Sequence, residues 1–453
     1  AVINPLKVIG SVAGGNLNGT TTGTSGVAGY WFSTIGVTSG KWYFETTIGT
    51  LATNSYVGVY GDPNNAATDY AEYQLNGGTW FTTVGGSGSF SATATTNDVL
   101  GVAVDITSGT FQIYKNGTSL GTITGITFTG KTWFFGALTN AAVSSAWSFN
   151  FGQRPFSYTP PSGFNALNTF NLPTPTISNG ATVMAATTYT GTGATQSISN
   201  AVNNVSFQPD LAWVKIRNTA GYHVLVDSVR GSGSGSGGLA ILSSNSTDAE
   251  YTSNLSSYVT GFNSNGVALG NQAATSFFTN TNGNSFVAWQ WNAGSGSTSS
   301  NTNGSITSTV SVNATAGFSI VTYTGNGSSG ATVGHGLGVV PAMIICKGRS
   351  GTARAWYVKQ GNLSSSNNLL LSGTDAQFNV ASGSSTGGLA NLSNSSTFGF
   401  LAGTSNVNAV NASGETYVAY CFSAVAGYSA FGSYTGNGSS DGPFVFTNMR
   451  PRW

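Results

Sequence analysis

Tyr189-Thr-Gly-Thr-Gly193 returns as Tyr323-Thr-Gly-Asn-Gly327 and again as Tyr434-Thr-Gly-Asn-Gly438. A proline after each copy opens a strand-like run: Pro209-Asp-Leu-Ala-Trp-Val-Lys215, Pro341-Ala-Met-Ile-Ile-Cys-Lys347 and Pro451-Arg-Trp453. Landmarks recurring in fixed order at such long spacing define repeated domains and not a short-period solenoid. The far ends match too, Asn284-Ser-Phe-Val-Ala-Trp289 against Glu415-Thr-Tyr-Val-Ala-Tyr420. One β-repeat is therefore expected at 181–315 and a second at 316–427. The start of a third, truncated, is expected at 428–453. The natural chain is expected to continue past Trp453, or a neighbour to complete that strand. Residues 1–170 lack the motif and are read as a separate sandwich domain. A Pro-rich linker at 171–180, with Pro173-Thr-Pro-Thr-Ile177, joins the two parts and favours an extended backbone.

The strands implied by this register need period-two side chains, and the chain supplies them. Lys41-Trp-Tyr-Phe-Glu-Thr-Thr-Ile48 alternates as a half-buried strand should. Tyr56-Val-Gly-Val-Tyr60 follows, then a polar connection at 61–78 that contains several aromatics, then Asp98-Val-Leu-Gly-Val-Ala-Val-Asp105. Asn116-Gly117 between alternating runs signals a tight hairpin, because both residues tolerate positive φ. Trp133-Phe-Phe-Gly-Ala137 and Trp147-Ser-Phe-Asn-Phe151 complete the set. Only 6% of residues are charged, against roughly a quarter in an ordinary soluble domain. Disorder is argued against by 39% hydrophobic and 12% aromatic content in this regular placement. No apolar run is long enough for a membrane helix, and a net charge of +1 implies no nucleic-acid surface. The N-terminus, Ala1-Val-Ile-Asn-Pro5, does not read as a signal peptide. An all-β chain of antiparallel sandwiches is the expected fold.

Motifs that carry chemistry fail on context. Gly325-Asn-Gly-Ser-Ser-Gly330 fits a dinucleotide loop, but the chain runs on toward a strand, where phosphate binding needs a helix N-terminus. Gln196 and Asp441 replace the third glycine in the other copies, so the conserved pair marks a turn. Gly383-Ser-Ser-Thr-Gly387 fits a nucleophile elbow within a Gly/Ser-rich stretch, and a hydrolase needs a histidine base. His223 and His335 show no such arrangement. Cys346 and Cys421 sit in apolar runs and read as buried thiols, and two histidines with two cysteines give no zinc spacing. Asp62-Pro-Asn-Asn65 with Asp69 and Glu72 is the acidic cluster of note. It reads as a solvated loop, with a structural cation and a glycosidase carboxylate pair as the chemical alternatives. No catalytic residue, metal or cofactor is expected.

Gly40-Lys-Trp-Tyr-Phe-Glu45, Val57-Gly-Val-Tyr60, Val99-Leu-Gly-Val-Ala-Val-Asp105 and Phe111-Gln-Ile-Tyr-Lys-Asn-Gly117, in this order, resemble a SPRY domain. The resemblance implies a bent two-sheet β-sandwich whose rim loops bind partners without chemistry. The ending Phe149-Asn-Phe-Gly-Gln-Arg-Pro-Phe156 with Tyr158-Thr-Pro-Pro-Ser-Gly-Phe164 resembles the form found in bacteriophage proteins. The paired units beyond it resemble a tandem, jelly-roll-like domain of unknown function in phage virion proteins. Asp62, Asn64, Tyr70, Tyr73 and Trp80, on the 61–78 connection and just after it, are the candidate binding residues. Rigid aromatics beside small polar groups bind proteins or sugars at low entropic cost. Tyr73 and Trp80 also fit as the start of a strand that fills the core.

The expected function is that of a non-enzymatic phage tail fibre, spike or surface appendage in host attachment. Such a protein is made in the host cytoplasm and resides in the virion. The alternatives are a capsid decoration or baseplate component, and a polysaccharide depolymerase. The expected partners are other virion proteins and a host surface protein or glycan. A homotrimer is expected by analogy with fibres.

Overall fold

The structure, a computed structural model, describes all residues except 10, 16, 22–28, 62–68, 84, 85, 91, 129, 130, 140–143, 169, 173, 174, 234–236, 273–276, 383, 384, 406, 437, 439, 441–444, 446, 448 and 450–453. The chain forms two compact units, Ala1–Thr174 with Tyr434–Asn448, and Pro175–Ser433 with Met449–Trp453. Antiparallel strands dominate both, and Asn408–Asn411 is the only α-helix among the described residues. None of its helices is long and apolar enough to cross a membrane.

The first unit is a sandwich of two sheets. One runs Ile3–Ile9, Gly29–Val37, Trp133–Thr139, Ser55–Tyr60, Tyr70–Gln74, Thr79–Thr82, Gly86–Ser89. The other runs Thr118–Ile123, Thr110–Lys115, Val99–Asp105, Lys41–Thr50, Ser145–Asn150, Asn18–Thr21, Ser11–Ala13. Their inner faces bury Trp31, Phe44, Val57, Val59, Val102, Phe135 and Phe149 in one core. Each such side chain contributes roughly 1.5–3 kcal/mol of transfer free energy. The hairpin at Asn116 and Gly117 has φ of 48° and 81°, as its two residue types require.

Strand Lys41–Thr50 departs from the half-buried expectation, because Trp42 through Thr46 are buried on both faces. The segment after Asn150 folds over the side that alternation assigns to solvent. Phe156 meets Tyr43 edge-on at 4.9 Å. The Glu45 carboxylate accepts the backbone N–H groups of Ser157 and Tyr158 at 2.7 and 2.9 Å. The 61–78 connection also differs from expectation, since it contains the strand Tyr70–Gln74.

In the second unit two repeats follow one register. Met184 pairs with Trp291 and Leu211 with Trp291 in the first, and Phe318 with Phe422 and Met343 with Phe422 in the second. The first repeat's main sheet runs Met184–Thr190, Ser285–Trp291, Leu211–Ile216, Val224–Asp227, Leu242–Ser243. The second's central strands are Phe318–Thr324, Thr416–Phe422, Met343–Gly348, Tyr357–Gln360, Asn367–Leu370. Each main sheet closes a core against a smaller three-stranded sheet. The opposite faces of the main sheets share a further core of Leu211, Leu225, Trp291, Phe318, Ile345, Trp356, Tyr420 and Phe422. Equivalent positions from both repeats meet there, as in a self-complementary dimer interface.

Candidate binding surfaces

Strand alternation separates the residues that the sequence groups together. Tyr70, Glu72 and Gln74 point to the outer face of the seven-stranded sheet, whereas Ala71 and Tyr73 point into the core. Tyr73 is fully buried, and its hydroxyl donates to the Ala92 carbonyl, so its side chain offers nothing to a partner. Trp80 pairs with Tyr73, lies half-buried against the same core and meets Phe90 at 6.4 Å. Asp62 and Asn64 lie outside the described residues. Of the three that are described, Tyr70 alone lies on the outer face, beside Phe32, Tyr60, Phe134 and Leu138.

That outer face is an aromatic surface the sequence reading did not single out. Tyr30 stacks on Phe32 at 5.6 Å, Phe32 meets Tyr60 at 4.8 Å, and Tyr56 meets Phe81 at 6.2 Å. Tyr30, Tyr56, Tyr70 and Phe81 are half-exposed at its margin. Period-two parity was the available signal, since it puts Tyr56 and Tyr60 opposite Val57 and Val59. Within the face the Tyr60 hydroxyl donates to Glu72 Oε2 at 3.0 Å. Burial pushes the Glu72 carboxyl up to about 7, and the Tyr60 hydrogen bond only partly offsets it. The other acid of this region, Asp69, forms an ion pair with Lys131. No group of three metal-ligating side chains occurs among the described residues.

In the second unit the repeated motif is a loop locked by a buried asparagine. Asn280 Oδ1 accepts Thr192 N–H at 3.0 Å, and Asn411 Oδ1 accepts Asn326 N–H at 3.0 Å. The carbonyls of the same two asparagines accept the N–H groups of Gly193 and Gly327. The preceding Tyr189 and Tyr323 hydroxyls donate to the Thr279 and Val410 carbonyls. A phosphate cradle must leave its N–H groups free; these are consumed internally. In the third copy Tyr434 is 69% exposed, and no strand follows among the described residues. His335 is buried, its Nδ1 accepting Leu337 N–H at 3.1 Å, and its partners give it a turn-forming role. Both cysteines are free and buried.

A network of charged groups bridges the two repeats. Asp227 accepts Arg230 Nε at 2.5 Å and the Tyr420 hydroxyl at 2.7 Å. Arg230 also reaches Glu250 at 2.7 Å, and Glu250 takes a two-pronged contact from Arg349 at 2.9 and 3.2 Å. Asp227 and Arg230 are wholly buried, so these bonds offset a desolvation cost of several kcal/mol per ion and fix how the repeats register. Farther along lies an open cleft of about 820 Å³ lined by Lys215, Tyr222, His223, Asn245, Tyr251 and Phe277. Burial, and then the nearby Lys215 ammonium, hold the His223 imidazole below its usual range.

The comparisons with known proteins agree with this architecture. A family model described as SPRY domain matches residues 41–154, within the first sandwich. A model described as a domain of unknown function (DUF7483) matches residues 179–453, more than half of the chain and both repeats together. The chain thus belongs to the DUF7483 family and carries a SPRY domain ahead of that region. Among solved structures, the SPRY domain of human HERC1 is 18% identical over 34% of this chain and 99% of that one, with a TM-score of 0.29. A human SPRY domain is 17% identical over 34% of this chain and all of its own, with a TM-score of 0.27. No curated protein matches the chain.

Proposed function

We propose that this protein is a non-enzymatic binding component of a bacteriophage virion, a tail fibre, spike or surface appendage in host attachment. The observation that carries the binding role is the outer aromatic face of the SPRY sandwich. Its half-exposed Tyr30, Tyr56, Tyr70 and Phe81 surround buried rings that fix their positions. Rigid aromatics of this kind give contact area at small entropic cost to a protein or glycan surface. The phage assignment is supported by the resemblance of the 149–164 segment to phage forms of this domain. Internal consumption of the charged groups further supports a structural role over acid–base chemistry.

The test is binding of the purified chain to cells of the infected bacterium. Y56A and Y70A are expected to weaken it about tenfold each while leaving the melting temperature within a few degrees. Equal binding by both variants and the parent would remove this face as the site. Labelling of the particle by antibody on the capsid shell or baseplate, with no cell binding, would favour the alternative of a decoration or baseplate component.

A further inference from the structure

One loop occurs twice in the second unit and is docked only once. Ser246-Thr-Asp-Ala-Glu-Tyr251 follows strand Leu242–Ser243, and Gly373-Thr-Asp-Ala-Gln-Phe378 follows the equivalent strand Asn367–Leu370. The first loop sits on the turn after strand Met343–Gly348 of the other repeat. There the Thr247 carbonyl accepts Lys347 Nζ and Arg354 N–H, each at 2.9 Å, while the Glu250 carboxylate accepts Arg349 Nη2 and the Glu250 N–H donates to the Arg349 carbonyl, both at 2.9 Å. Trp356 Nε1 closes the contact on the Ser243 carbonyl at 2.8 Å.

The reciprocal contact is not made. Residues 373–377 of the second loop are exposed. The equivalent receiving end on the first repeat carries Lys215 and Arg217: Lys215 and Lys347 pair with the equivalent Val287 and Val418, and the Arg217 and Arg349 N–H groups donate to the equivalent Ser285 and Thr416 carbonyls. Lys215 turns back onto the Ile216 and Thr219 carbonyls of its own turn, and the cleft beside it stands open with Tyr222 38% exposed. Charge bookkeeping singles out the same two elements. Among the described residues of this unit, Arg217 is the only Lys or Arg whose side chain makes no hydrogen bond or ion pair. Asp375 is the only such acidic residue. Both lie in elements whose counterparts mate with each other across the repeats.

We propose that the 374–377 loop of one copy docks on the Lys215, Arg217 and Tyr222 end of the first repeat of a second copy, joining chains head to tail. The contact reuses the chemistry of the docked loop. The Thr374 carbonyl accepts from Lys215, the Asp375 carboxylate lies against the Lys215 and Arg217 cations, and the Gln377 amide oxygen takes the place of the Glu250 carboxylate. Gln377 carries no charge, so the contact is weaker than its intramolecular counterpart and reversible. Donor loop and acceptor end are different surfaces, so each added copy leaves one of each free. Such heterologous contacts close into a ring or continue as a filament. The inference stands on the second unit alone and does not depend on the virion reading.

Sedimentation velocity of the whole chain over a concentration series is the test. The parent is expected to gain mass with concentration, and R217E and D375R each to raise the midpoint by at least about tenfold. Both positions are exposed, and unchanged circular dichroism checks folding. A mixture of the two single variants is diagnostic, because only the R217E loop and the D375R acceptor remain intact. It is expected to associate beyond either component, because the two substituted charges are opposite and pair in turn, and the R217E/D375R double variant is expected to regain assembly in the same way. A parent that stays monomeric throughout would overturn the proposal. So would association indifferent to both substitutions, or a mixture that assembles no better than its components.

Discussion

Glu72 differs from the other acidic residues of the first unit in what holds it. Asp98 keeps Lys115, Asn116 and two groups of Thr95 around it, and despite burial these hold it down to about 2. Glu72 has a phenol instead, and stands at about 7 against an ordinary 4.5. The native state then keeps a proton that the unfolded chain loses near pH 4.5. Stability from this group is full below that pH and declines as pH rises to about 7, by about 3 kcal/mol in all. In E72Q the side chain stays neutral and still accepts from Tyr60. Its first-unit urea transition is expected to lose this slope between pH 5 and 8 and to be the more stable at pH 8. A slope equal to the parent's would place the proton elsewhere.

At the scale of elements, the repeated loop supplies its own control. A Cβ on Gly191 would meet the Thr281 carbonyl oxygen at 2.2 Å, and one on Gly325 the Ala412 carbonyl oxygen at 2.2 Å. Gly436 has nothing within 4 Å. G191A and G325A are therefore expected to destabilise the second unit by about 2–4 kcal/mol, seen as loss of several degrees in its thermal transition. G436A is expected to stay within about 0.5 kcal/mol of the parent. A G436A penalty matching the other two would mean that the third copy is packed as they are. The sequence showed the glycines as a turn signal, but their partners, Asn280 and Asn411, are about ninety residues away and carry no local mark. Hairpin Asn116-Gly117 was legible because turn and strands are contiguous. The outer aromatic face was half legible: alternation gives the parity, but the number of strands in 61–82 had to be right before parity placed Tyr70 and Trp80 on opposite sides.

For the second unit as a whole, the shared core between main sheets decides whether a repeat is a domain. Trp291, Phe318, Ile345, Trp356, Tyr420 and Phe422 are buried by the other repeat's sheet as well as their own neighbours. Fragments 175–297 and 298–433, expressed separately, are expected to expose this face and to aggregate or bind a hydrophobic dye. Mixing them during refolding is expected to recover a soluble complex. Two soluble, monomeric, dye-silent fragments would show that each repeat folds alone.

By itself the sequence determined the all-β class, the two-part division, the tight turns and the internal repeat, because each rests on neighbouring residues or on recurrence. Tertiary structure decided what those features face. It turned Lys41–Thr50 into a strand covered on both sides, sent Tyr73 inward and Tyr70 outward, and set the repeats back to back. The Tyr-Thr-Gly-x-Gly loop has the same spelling in all three copies, yet among the described residues it closes on an asparagine in the first two and leaves its tyrosine exposed in the third. Local spelling sets a turn, and long-range partners determine what that turn becomes.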